Sequence, residues 1–182
     1  MKARGVRRLF TPFGIVQWIM VGAVGLALWL AYFPWRWERT KEELRGRFPG
    51  VRRLDAADLK DWYQKSEGPK PVIIDIRPRA DYDYSRLPGA LHMGLADTPE
   101  ILGFPAKTDA SLVIYDAVGA DAFPVAASLV QRGYARVQVL EGGIYEWVNG
   151  GLPLESPGGA TTKVQAGDLR NIGLLKRRHR AP

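Results

Sequence analysis

From Leu9 to Trp35 the chain carries no charged residue, and Arg8 and Arg36 bracket the run. Those 27 residues exceed the roughly 20 that a helix needs to cross ~30 Å of hydrocarbon. The most apolar part is Ile15 to Phe33, with Gln17 as its one strongly polar side chain. A buried core helix is seldom this long. A cleaved signal peptide has a shorter apolar stretch and a small-x-small cleavage site, which Leu30-Ala31-Tyr32-Phe33-Pro34 does not offer. The Arg-rich start resembles a transit peptide in charge alone. The expectation is therefore a transmembrane helix over 13–35 after a basic segment, 1–12. Trp18 stands near one end and Tyr32, Trp35 and Trp37 at the other, as ring side chains do at headgroup depth. Pro34 and the charges from Arg36 are expected to mark the exit from the bilayer. Gly22, Ala23, Ala27 and Ala31 offer a small-residue face for a second helix, or simply the Gly and Ala common in such spans.

The net charge of +7 divides unevenly: +8 over residues 1–54, −6 over 55–160 and +5 over 161–182. An acidic middle argues against nucleic acid as a partner, whereas basic ends suit an anionic membrane surface. Four basic residues precede the span and seven follow it up to residue 53, a small bias toward a cytoplasmic soluble domain. The location expected is a bacterial inner membrane, crossed once. With no Cys, the chain has no disulfide, thiolate metal site or cysteine nucleophile. Two His, His92 and His179, exclude a histidine-rich metal centre. No cofactor and no metal are expected.

After the span, 36–50 reads as a charged stalk that ends at Phe48-Pro49-Gly50. Strand and helix signals then alternate over 51–155. Val51–Leu54, Val72–Ile76, Ala90–Met93, Leu112–Tyr115 and Val137–Leu140 read as strands. Asp55 stands as a helix N-cap before Leu59, Trp62 and Tyr63, Pro124 near the start of a helix, and Gly133 at its end. The fold class implied is α/β, a parallel sheet with helices on both faces. In such sheets the site lies beyond the carboxyl ends of the strands, which points to Asp116-Ala117-Val118-Gly119-Ala120-Asp121. Residues 156–182 read as a basic tail. It is either solvated or docks on anionic lipid or an acidic protein surface, with Asp168 capping a short helix.

Three stretches carry a family resemblance. Ile74-Asp75-Ile76-Arg77 leads to Asp81-Tyr82 and Leu87-Pro88-Gly89-Ala90. Leu112–Tyr115 leads through the six-residue loop to Ala126, Ala127, Leu129 and Gly133-Tyr134. Leu140-Glu141-Gly142-Gly143 leads to Trp147 and Gly151-Leu152-Pro153-Leu154. In this order and spacing the chain resembles the rhodanese-like (sulfurtransferase) domain family, and the loop length matches rhodaneses rather than the related phosphatases. The resemblance implies a loop that begins with a persulfide-forming Cys and ends with an anion-binding Arg. Those positions are Asp116 and Asp121 here, and the family's Gly-His is Ser85-Arg86.

A carboxylate cannot carry a persulfide. Two of them also repel an anionic donor, at about 3 kcal/mol for like charges ~6 Å apart. No catalytic residue is therefore expected in the loop 116–121. Asp116 is expected to fold back onto the loop's own N–H groups. The readings weighed against this are Asp116 as a covalent nucleophile and Asp116 with Asp121 as ligands for a hard cation. Asp75 and Arg77 read as an internal ion pair, His92 as a satisfied core histidine, Trp147 as core packing and Glu141 as a surface charge. The function expected is an inactive, membrane-anchored scaffold or accessory subunit among other membrane-protein subunits. The alternatives are an enzyme that uses the Asp loop, or an anchor whose helix is the working part.

Overall fold

A computed structural model describes residues 12–65, 67–104, 109–167 and 171–182, with side chains at 12–15, 29, 30, 33, 34 and 65 outside the description. The chain divides into two compact units, Met1–Arg39 and Thr40–Pro182.

The first unit holds most of helix α1 (Pro12–Arg47). Pro34 and the charges from Arg36, expected to mark the exit from the bilayer, lie inside this helix, which continues to Arg47. Val16, Trp18, Ile19, Met20, Val21, Val24, Leu26 and Leu28 are all more than half exposed. Successive helical residues turn by 100°, so these side chains make the helix apolar all round. Gly22, Ala23, Ala27 and Ala31 are exposed too. The guanidinium of Arg36 lies over the Tyr32 ring and that of Arg39 over Trp35, at 6.0 and 5.7 Å. Among the described residues no helix is long and apolar enough to cross a membrane. The expected span, 13–35, includes positions whose side chains lie outside the described residues, and the basic segment falls there almost entirely.

The second unit is the α/β domain. It begins at Thr40, within the expected stalk, rather than at residue 51. Leu44 and Phe48 pack on the core, Phe48 stacking 6.2 Å from Phe123, so this stretch is part of the domain and not a solvated spacer. The elements that follow are β1 (Arg52–Leu54), α2 (Ala56–Lys65), β2 (Val72–Asp75), α3 (Arg79–Tyr84), β3 (Leu91–His92), β4 (Leu112–Tyr115), α4 (Ala122–Gln131), β5 (Val137–Leu140) and α5 (Gly143–Asn149). Five strands form one parallel sheet in the order β1-β5-β4-β2-β3. β4 is buried on both faces, which is why Leu112–Tyr115 shows no polar alternation. Asp55 accepts the Asp58 N–H at 2.7 Å, as an N-cap should. The order in which strands are added reverses between β2 and β4, which run parallel. β2 leads outward to β3 and β4 leads the other way to β5, so the crevice of the sheet opens at the ends of β2 and β4.

The basic tail is not a solvated extension. β6 (Leu154–Ser156) and β7 (Gly159–Thr161) make an antiparallel hairpin at the start of the expected tail. Val164 and Leu175 are fully buried. Val164 donates to His179 O at 2.8 Å, and Ala181 donates to Val164 O at 2.9 Å. Asn149 ties the segment to the end of α5 by donating to Leu174 O and accepting from Lys176 N–H. Arg180 donates to the carbonyls of Leu175 and Ile172, so this cation is engaged internally. Burial of these two apolar side chains, about 2 kcal/mol each, and the backbone bonds to Val164 help hold the tail on the domain. Asp168 and its expected helix start lie outside the described residues, and Ile172–Leu174 form a single 3-10 turn.

Candidate functional site

The β4–α4 loop sits at the crevice, and its conformation is local. Asp116 is buried. Its Oδ1 accepts the N–H groups of Val118, at 3.0 Å, and of Gly119. Its Oδ2 accepts the Asp121 N–H at 2.7 Å. Three amides that converge on one point form an anion nest, and the carboxylate of Asp116 fills it. Burial raises the Asp116 pKa to about 6, against the lowering effect of the three N–H bonds. The carboxylate is therefore largely ionised at neutral pH and matched to its donors.

Two glycines let the loop dock. The main chain of Asp116 and Ala117 accepts N–H groups from Ile144 and Tyr145, at 3.0 and 3.1 Å. At Gly143, φ is +54°, and a Cβ would stand 2.8 Å from the Ala117 carbonyl and collide with Asp116 O. At Gly119, φ is +92°, and a Cβ would stand 3.3 Å from Leu140 O, a tight contact rather than a collision. These contacts explain why the Gly142-Gly143 pair follows β5.

Asp121 is exposed at the start of α4, and its side chain makes no capping bond. Asp116 is thus turned onto its own backbone while the Asp121 side chain is exposed. Among the described residues no cluster of three or more His, Asp or Glu could hold a metal ion.

Beside the loop, at the end of β2, lies a buried ion pair. Arg77 grips Asp75 through Nε at 3.0 and 3.1 Å and Nη2 at 2.6 Å, and donates onward to Ser85 O at 2.6 Å. Tyr115, the last residue of β4, donates to Asp75 at 2.6 Å and accepts the Leu87 N–H at 3.1 Å. Burial pushes the Tyr115 hydroxyl well above its usual range, and the Asp75 charge adds to this. The expectation of an internal ion pair holds, and Tyr115 is a member that sequence reasoning missed. His92 Nε2 bonds to Arg77 O at 2.9 Å. The Trp147 indole donates to Pro153 O at 2.8 Å. Glu141 is not the free surface charge expected, because Arg45 pairs with it bidentately at 2.8 and 2.7 Å. Those residues lie 96 positions apart, and nothing in the sequence signals the pairing.

The model of the rhodanese-like domain matches residues 56–150, over half of the chain. The chain belongs to the rhodanese-like domain family. A sulfurtransferase of Allochromatium vinosum is 36% identical over 109 residues, covering 60% of this chain and 99% of that protein. The thiosulfate sulfurtransferase GlpE of Actinobacillus succinogenes is 31% identical over 88 residues, covering 47% of this chain and 76% of its own. The crystal structure of the Alr3790 protein from Anabaena sp. superposes with a TM-score of 0.51 at 25% identity, over 57% of this chain and 80% of that one. As a rhodanese-like domain, this chain has a five-stranded parallel sheet and holds no cysteine.

Proposed function

We propose that this protein is a catalytically inactive rhodanese-like protein, anchored in a membrane by α1, that acts as a binding or accessory subunit of a membrane complex. The observation that carries the reading is Asp116 itself. Its side chain is where the family resemblance expects the nucleophile, and it occupies the amides that would otherwise hold an anion. Sulfur transfer needs a thiolate, and the loop offers neither that nor a cation. The enzyme alternative needs a carboxylate free to attack or to bind a metal, whereas both oxygens of Asp116 are engaged by its own backbone.

The anchor rests on the uncharged run and on a helix whose apolar side chains face outward on every side. The small face at Gly22, Ala23, Ala27 and Ala31 suits close approach of a partner helix. A bacterial inner membrane, with the soluble domain on the cytoplasmic side, fits the charge bias and the bacterial relatives. Exposed Lys163, Lys176, Arg177 and Arg178 leave anionic lipid or an acidic subunit surface as a further contact.

The decisive assay is thiosulfate:cyanide sulfurtransfer by the purified full chain. No turnover above the uncatalysed rate is expected, and turnover would overturn the reading. With thiosulfate, the double change Asp116→Cys and Asp121→Arg should take the outer sulfur onto the new thiolate, releasing sulfite, and form a persulfide detectable by mass. In native membranes the chain should resist alkaline extraction and migrate with partners in mild detergent. Release by alkali would remove the anchor, and recovery as a lone monomer would remove the complex.

A further inference from the structure

On the face of the sheet away from α4, a cleft of about 260 Å³ lies between α2 and α5. Its floor is Ile73 of β2, which is buried. Its walls are Tyr63 from α2, Trp147 from α5, Pro88 and Pro153. No residue of the 116–121 loop lines it, so it is separate from the filled anion nest. The walls are stiff. Two are prolines. Trp147 is held by its indole bond to Pro153 O. Tyr63 packs so closely on Gly89 that a Cβ there would lie 2.8 Å from the phenol oxygen. A cleft with fixed aromatic and proline walls costs little ordering when a ligand enters.

The polar part is asymmetric. Lys60 lies half-buried on the α2 wall, one turn before Gln64. Among the described residues its ammonium makes no hydrogen bond or ion pair. Apolar walls with one unanswered cation at the edge favour a ligand with an apolar body and one anionic end. At ~30 Å³ per water-sized group, the volume holds a body of about ten non-hydrogen atoms.

We propose that this cleft binds a small aromatic or aliphatic carboxylate, ring against Trp147 and Tyr63, carboxylate on Lys60. The site is independent of whether the loop is catalytically inactive and of whether α1 crosses a membrane. It gives the domain a small-molecule input.

The test uses the full chain in lipid nanodiscs, with 3-phenylpropionate and its neutral amide as probes, followed at the Trp147 indole N–H by NMR and by calorimetry. The acid should bind and shift the indole signal, and the amide should bind about fivefold more weakly, as expected for a partly exposed ion pair. Lys60→Met should erase that difference and Lys60→Arg should keep it. Lys60 stands on an outer helix, so unchanged thermal unfolding of both variants verifies that folding is intact. Equal binding of acid and amide, a Trp147 signal that does not move, or an unaltered preference in Lys60→Met would each overturn the proposal. So would occupation of the cleft by a segment of a partner protein that displaces neither probe.

Discussion

Two buried carboxylates stand side by side at the crevice, and they are satisfied in different ways. Asp75 is held by a cation and a hydroxyl, Arg77 and Tyr115, the latter 40 positions away and on another strand. Asp116 is held by three backbone amides within five residues of itself. The first arrangement ties β2, β4 and the turn at 85–87 together. The second closes one loop on itself. A buried charge can thus act as a tertiary staple or as a local plug, depending on where its partners sit in the chain.

The largest break in this comparison is Asp75→Ala. It leaves the Arg77 guanidinium buried without its counter-charge, and about 3–5 kcal/mol of domain stability should be lost. Urea unfolding of the variant measures it. A loss under 1 kcal/mol would mean that the ion pair is not a staple.

Next is the pH response of the plug. The Asp116 pKa is raised from 3.8 to about 6 on folding. Its contribution is therefore fully present below the unfolded value and is lost as pH rises through about 6. The corresponding difference in unfolding free energy between pH 4 and 7 is at most about 3 kcal/mol, favouring low pH. Asp116→Asn should remove this component, so the difference between the two unfolding curves should grow across that window and be flat beyond it. Parallel curves would show that Asp116 does not titrate as its burial implies.

Asp116→Ala sharpens the contrast further. It strips the nest of its acceptor, yet water at the loop can replace part of it. A loss of about 1–3 kcal/mol is expected, smaller than for Asp75→Ala. Raised hydrogen exchange at Val118 and Gly119, with the sheet amides unchanged, would show that the damage stays local. The smallest effect expected is Arg45→Ala. Its pair with Glu141 is partly exposed, so the loss should be under about 1 kcal/mol. A larger change in thermal unfolding would make this pair a second staple.

Legibility follows the same division. The strands were readable because β4 is continuously apolar and β2 is so apart from Asp75, and the N-cap at Asp55 acts within three residues. The loop was readable because Asp116 and its donors fit in six positions. The tail was misread because its polar, Gly-rich sequence shows no periodicity, while the bond from Asn149 to Leu174 O forms only once α5 is in place. Pro34 lies inside α1 because it removes one hydrogen bond, and a long helix tolerates that loss.

By itself, then, the sequence determined what chemistry this protein lacks, since a chain without cysteine has no thiolate wherever it folds. It also determined the fate of Asp116, because amides two to five residues away can be reached without help from the rest of the fold. Only the tertiary structure decided that Tyr115 completes the Asp75 site, that Arg45 meets Glu141, that the basic tail is folded in, and that Lys60 borders an aromatic cleft. Those pairings join residues far apart in the chain, and only the packing of the sheet and its helices brings them within bonding distance.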